Sequence, residues 1–277
     1  MAGVLYIVAT PIGNLEDITI RALRILKEVD LIAAEDTRHT KTLLNHYGIR
    51  TSLTSYHEHN EKSKAQVLVA RLKLGESVAL VSDAGTPTLS DPGYRLVHEA
   101  IKAGLNIVPV PGASALTAVL SASGLPTDRF VFEGFLSAKK RERRERLRGL
   151  REEKKTLVFY EAPHRLKESL EDLLGVLGDR EVVLGREVTK VYEEFIRGRL
   201  SEVIAEIQRQ EPRGEITLVL RGSEEKQIPT NDNLMAEIQR LKRKGLRVKE
   251  IAELLAEKYS RPKREIYRLA LEEEEKR

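Results

Sequence analysis

Over the first 112 residues, short unbroken apolar runs alternate with stretches in which apolar positions recur every three or four residues. The runs VLYIVAT (4–10), LIAAED (31–36), the opening of VALVSDAGTPTLSDPG (78–93) and NIVPVPGASA (106–115) predict strands. Between them, Ile18, Ala22, Leu23 and Leu26 share one helical face. A second helix is predicted after Asp36, with Thr37 placed to cap it and Gly48 to end it, and a third over 61–74. Strands alternating with helices imply βαβ units and a largely parallel sheet. Continuous rather than alternating apolar strands imply cover on both faces.

The pattern resumes with RFVFEGF (129–135), TLVFYEAPHR (156–165), EVVLGREVTKVYEEFIRG (181–198) and GEITLVLRG (214–222), with helices over 166–177 and 200–210. SEEKQIPTNDN (223–233) is polar and turn-rich, as a linker is. Three short helices follow, with Leu234, Ile238 and Leu241 on the first, Ile251, Leu254 and Leu255 on the second, and Ile266, Leu269 and Leu271 on the third. Residues 248–271 have the outline of a helix-turn-helix with Lys263, Arg264 and Arg268 on its second helix; a plain capping three-helix bundle fits the same pattern. The predicted fold is α/β: one α/β domain over 1–112, another over 113–222, a cleft between them, and an all-helical appendage at 231–277.

Every unusual loop of the first half follows the C-terminal end of a strand: TPIGN (10–14), EDTRHT (35–40), SDAGTP (82–87) and PGASA (111–115). In open α/β sheets the ligand crevice lies outside those ends. None of the loops has the G-K-[ST] of a triphosphate loop, and ATPIGNLED offers a single glycine where a dinucleotide fold needs three. Asp83 and Asp91 suit a ligand with hydroxyl or ammonium donors, and Gly85 lets backbone approach it. Both carboxylates could equally cap helices and turns.

Composition narrows the class. The chain has 277 residues, 41% hydrophobic and 32% charged, with no apolar run long enough to span a membrane. It has no cysteine, which excludes disulfides, thiolate nucleophiles and zinc–thiolate sites and fits the cytoplasm. The six histidines lack metal-ligand spacing; His57 and His59 stand two apart in a predicted loop, so no metal is expected. Net charge is only +4, yet KKRERRERLRGLREEKK (139–155) holds ten Lys/Arg against four Glu. Such a segment either contacts a phosphate backbone or forms a solvated helix laced with ion pairs.

VATPIGNLEDIT (8–19), AEDTRHTKTLL (34–44), SDAGTPTLSDPG (82–93), PGASA (111–115), YEAPHR (160–165) and GEITLVL (214–220) occur in series. Together they closely resemble the tetrapyrrole methylase superfamily, and within it the branch that methylates a cytidine 2′-oxygen of 16S rRNA. The resemblance implies S-adenosylmethionine held between two α/β domains, in a homodimer acting on the small ribosomal subunit. It assigns to the cofactor Pro11, Asp83, Ala84, Gly85, Thr86, Leu89, Ser114, Ala115, Tyr160, Ile216 and Thr217. Corrin-modifying relatives carry Gly-Asp-Pro where this chain has Gly85-Thr86-Pro87, so Asp83 stands in for the missing carboxylate by inference.

Methyl transfer to a ribose hydroxyl is an in-line displacement aided by a positioned base. Among the motif residues Glu161 is the favoured base, with Glu35 and Asp36 behind it and His164 a further candidate. Arg38, Lys41, Lys139, Lys140, Arg143, Arg144, Arg165 and Lys190 are the candidates for RNA phosphates. A target presented to a cleft must be splayed from its helix. Two other readings remain at this point: a tetrapyrrole-type small-molecule methyltransferase of the same fold, and a non-catalytic RNA- or DNA-binding protein.

Overall fold

The apolar runs of the first half form five parallel strands, β1 (Val4–Val8), β2 (Leu31–Ala34), β3 (Leu53–Ser55), β4 (Val78–Val81) and β5 (Asn106–Val110), in the order β3-β2-β4-β1-β5. The computed structural model describes residues 2–209, 213–224, 231–259 and 261–272. Helices α1 (Ile20–Glu28), α2 (Thr37–His46), α3 (Glu61–Lys73) and α4 (Tyr94–Lys102) cover both faces. Alternate strand residues serve opposite cores. Ala33, Val78 and Leu80 pack with Leu68, Leu72 and Leu96 of α3 and α4, while Ile32, Ala79 and Val81 pack with Ala22, Ile25, Leu26 and Leu44 of α1 and α2. Double-sided burial explains why the strands show no polar alternation.

Two local expectations change. Helix α2 is capped by Asp36 rather than Thr37: the Asp36 carboxylate accepts from the Arg38 amide at 2.8 Å. The three-residue edge strand β3 carries no apolar run and shows itself only through its pairing with β2.

Helix α5 (Ala115–Ala122) leads into the second sheet: β6 (Phe130–Phe135), β7 (Thr156–Glu161), β8 (Glu181–Arg186), β9 (Glu194–Arg199) and β10 (Ile216–Leu220), ordered β6-β7-β10-β8-β9. Only β6 and β7 run parallel; the other pairs are antiparallel. The segment 181–198 forms two strands of a hairpin, because the chain turns at Glu187 and Thr189, whose φ angles are +50° and +70°. On one face, α6 (Lys140–Gly149), α7 (Leu166–Leu177) and α8 (Leu200–Ile207) bury Leu147, Leu170 and Val203 against Phe159, Leu184 and Leu218. On the other, Val119 and Leu120 of α5 bury Val158, Val183 and Val219.

Both sheets belong to one compact unit, residues 1–223, and residues 224–277 form another. The second unit is a bundle of α9 (Asn231–Arg243), α10 (Val248–Tyr259) and α11 (Lys263–Glu272) around Leu234, Ile238, Ile251, Leu255, Ile266 and Ala270. Leu254 and Leu271, expected inside, are exposed. Of the predicted linker, residues 225–230 lie outside the described residues. No described helix is long and apolar enough to cross a membrane.

Candidate active site

Because β2, β4, β1 and β5 are neighbours, their C-terminal loops are neighbours too, and hydrogen bonds fasten them. Thr10 and Gly85 exchange backbone hydrogen bonds, the Thr10 amide donating at 2.9 Å and the Gly85 amide at 3.1 Å. The Thr86 hydroxyl donates to the Ala113 carbonyl at 3.2 Å, and the Asp36 amide donates to Asp83 Oδ1 at 2.9 Å. Gly85 has φ of +81°, a conformation that disfavours side chains, so its place at the centre of this fastening needs glycine.

Above the loops lies a cavity of about 400 Å³, closed on its far side by the second sheet. Its lining includes ten of the residues expected to hold a cofactor: Asp83, Ala84, Gly85, Thr86, Leu89, Ser114, Ala115, Tyr160, Ile216 and Thr217. Pro11 is a correction. It faces a separate small groove with Thr10 and His39, and its neighbour Ile12 lines the cavity instead. The lining also includes Phe135, Gly185, Val188 and Glu215, near the second sheet's strand ends, which the sequence had not singled out as site residues, and Asp91, for which a ligand contact and a turn cap were equally open. The Tyr160 hydroxyl accepts from the Leu116 amide at 3.2 Å, joining β7 to the start of α5, and its ring meets Phe135 at 5.6 Å between centroids.

The lining carries five carboxylates (Glu35, Asp83, Asp91, Glu161, Glu215) and, among the described residues, no Lys, Arg or His. Burial, helped by Asp83 and Glu215, pushes Asp91 up to about 6 despite a hydrogen bond with the Ser82 side chain. Glu35 is raised by burial and by the charges of Asp91 and Asp83.

Several predicted roles require correction. Asp36 lies outside the cavity, and hydrogen bonding from Arg38 holds its carboxyl far below the usual range, so it is a helix cap and not a base. Glu161 is buried at 3% exposure and fully engaged: Ser169 Oγ donates at 2.6 Å, the Ala162 amide at 2.8 Å, and Arg165 lies 3.1 Å away. That ion pair also takes Arg165 away from any phosphate. Arg143 is 1% exposed and paired with Asp172 at 2.8 Å, so it belongs to the interior. Lys190 is held by Glu187 at 2.8 Å and Glu215 at 3.3 Å and packs across Gly13.

Lys139, Lys140 and Arg144 do lie on the surface side of α6, although Lys139 is paired with Glu142 at 2.9 Å and Arg144 approaches Asp172 at 3.7 Å. Arg38 and Lys41 line an open groove along α2 and β3 together with Arg50, a residue that no motif grouped with them.

Residues 4–204 match the sequence model of the tetrapyrrole (corrin/porphyrin) methylases. The chain belongs to that methylase family. It is 50% identical to the ribosomal RNA small subunit methyltransferase I of Synechocystis sp., over 98% of both chains. It is 52% identical to the protein of the same name from Thermotoga maritima, over 80% of this chain and 100% of that one. The uroporphyrin-III C-methyltransferase of Thermus thermophilus, solved in complex with S-adenyl homocysteine, shares the fold with a TM-score of 0.56 at 22% identity, over 79% of this chain and 97% of that one.

Proposed function

We propose that this chain methylates the 2′-oxygen of a cytidine ribose in small-subunit ribosomal RNA, using S-adenosylmethionine. The observation that carries the donor half is the charge of the cavity: five carboxylates and, among the described residues, no basic group. Such a wall repels a polyphosphate and suits a ligand bearing a sulfonium and an ammonium. The apolar remainder (Ile12, Leu89, Val188, Ile216) suits a base, so the residues present fit this cofactor. When bound, it supplies a methyl group on a positively charged sulfur. The chain's own part is to hold donor groups with Asp83, Gly85, Thr86 and the Ser114–Ala115 backbone, and to exclude water with Tyr160 and Phe135. The acceptor half rests on the near-50% identity to rRNA methyltransferases over nearly the whole chain.

The phosphates flanking the target would be met by Arg38, Lys41 and Arg50 beside α2 and by Lys139, Lys140 and Arg144 on α6. Action in the cytoplasm, as a homodimer, completes the proposal and follows from the resemblance. The test is calorimetry with S-adenosylmethionine, followed by transfer of labelled methyl to 30S subunits or to a corrinoid. Binding, and label at a cytidine ribose of the 16S rRNA alone, is the expected result; label in the corrinoid, or no binding, would refute the reading.

Glu161→Gln offers a second measurement. Removing the charge opposite Arg165 is expected to cost about 2 kcal/mol in urea unfolding, while turnover per folded molecule is retained. A collapse of turnover at unchanged stability would restore Glu161 as the base.

A further inference from the structure

A second cavity, of about 510 Å³, adjoins the first and shares Glu35, Ser90 and Asp91 with it. Its outer wall is the start of α4, where Tyr94 is exposed and stacked on His98 at 5.8 Å between ring centroids. Asp91 therefore stands at the junction of two chambers, one suited to a methyl donor and the other open to the surface.

Of the other carboxylates that line the two chambers, Glu161 is ion-paired with Arg165, Glu215 approaches Lys190 at 3.3 Å, Glu61 pairs with Arg95 at 3.2 Å and Glu99 lies 3.6 Å from Lys102. Asp83 accepts from the Asp36 amide and Glu35 from the Asp83 backbone, while Glu58 lies on the outer chamber alone. Asp91 has only the Ser82 hydroxyl, and among the described residues no Lys or Arg pairs with it. Resting on the function proposed above, we propose that the adjoining chamber receives the acceptor nucleotide and that Asp91 is the catalytic base for its ribose hydroxyl.

The step balances. The hydroxyl O–H bond breaks and its proton bonds to an Asp91 oxygen. The hydroxyl oxygen bonds to the methyl carbon as the carbon–sulfur bond breaks, and that electron pair stays on sulfur. One carboxylate and one sulfonium charge disappear together. Desolvation supports the role, since a base near neutrality is both unprotonated at working pH and able to hold a proton. The charged groups facing Asp91 are Asp83 on its own loop, Glu35 at the end of β2 and Glu215 before β10, with Arg95, His98 and Glu99 of α4, Glu58 just before α3 and Glu61 at its start in the adjoining wall.

The test uses the full chain with 30S subunits. Asp91→Asn keeps the side chain's size and leaves four of the cavity's five carboxylates, so it is expected to bind S-adenosylmethionine within a few fold of wild type while turnover falls about 10²–10⁴-fold. Wild-type turnover should fall about tenfold per pH unit on an acidic limb where the base is protonated, and this limb should vanish in the variant. Independently of turnover, a ¹³C carboxyl resonance absent from Asp91→Asn should titrate near 6 in the wild-type protein without RNA. Turnover of the variant within a few fold of wild type, or a retained acidic limb, overturns Asp91 as the base and leaves methyl transfer standing. A loss of donor affinity as large as the loss of turnover would make Asp91 a donor-holding residue and overturn the proposal. A wild-type chain that transfers no methyl to RNA overturns both readings.

Discussion

Arg143→Met is expected to destabilise the chain by about 3–5 kcal/mol, the cost of leaving one partner of a buried ion pair alone. The guanidinium is 1% exposed, with Nε donating to Asp172 at 2.8 Å and Nη1 to the carbonyls of Ser137 and Ala138 at 3.2 and 3.4 Å. Without it, the 7%-exposed Asp172 carboxylate keeps, among the described residues, Arg144 as its one cation, at 3.7 Å. In a unit of this size the loss corresponds to a fall in Tm of roughly 6–20 °C. Adding Asp172→Leu should recover most of it, because an apolar pair of similar volume avoids the desolvation both ions incur. Lys140→Ala, one helical turn away on the solvent side, should change stability by less than about 0.5 kcal/mol. Urea and thermal unfolding of the three variants decide the matter: near-wild-type stability of Arg143→Met would mean that the cation is free to serve elsewhere.

Gly85→Val is expected to lower stability by about 2–4 kcal/mol and to abolish measurable donor binding. The strain has two parts. A β-branched residue at φ of +81° carries a backbone penalty, and the added Cβ would stand 3.2 Å from an Ile12 methyl carbon. The loop cannot relax easily, because Thr10 holds Gly85 through both its amide and its carbonyl. Any movement that relieves the added side chain therefore displaces both walls of the cavity floor. Gly85→Ala should show the same backbone penalty with less crowding. Calorimetry with S-adenosylmethionine on the folded variant measures the effect, and wild-type affinity in Gly85→Val would show that the loop is not part of the cradle.

Much of the α/β architecture is legible in the chain because it depends on local rules. The run VALV is buried on both faces, so it is apolar throughout, and the helix over 166–177 appears where it was expected because Leu166, Leu170, Leu173 and Leu177 fall on one face. The donor loops are legible for a related reason: strand order is constrained, and loops at strand ends collect at one edge. The hairpin hidden in 181–198 was not legible, since Val188, Val191 and Tyr192 continue the apolar pattern through the turn; two of them, Val191 and Tyr192, end up exposed.

Charge was the least legible property. Arg143 and Lys140 belong to the same basic segment, yet one is buried against Asp172 and the other faces solvent. Asp36, Asp83 and Asp91 are identical residues in two loops of the first sheet, but one caps a helix, one fastens a backbone amide and one stands between two cavities. By itself the sequence determined most of the strands and helices and which strand ends carry the site, because those follow from periodicity and backbone preference. Only the tertiary structure decided which carboxylates and cations remain free to act, because the partner that neutralises a charge is brought to it by folding and leaves no trace in its immediate neighbours along the chain.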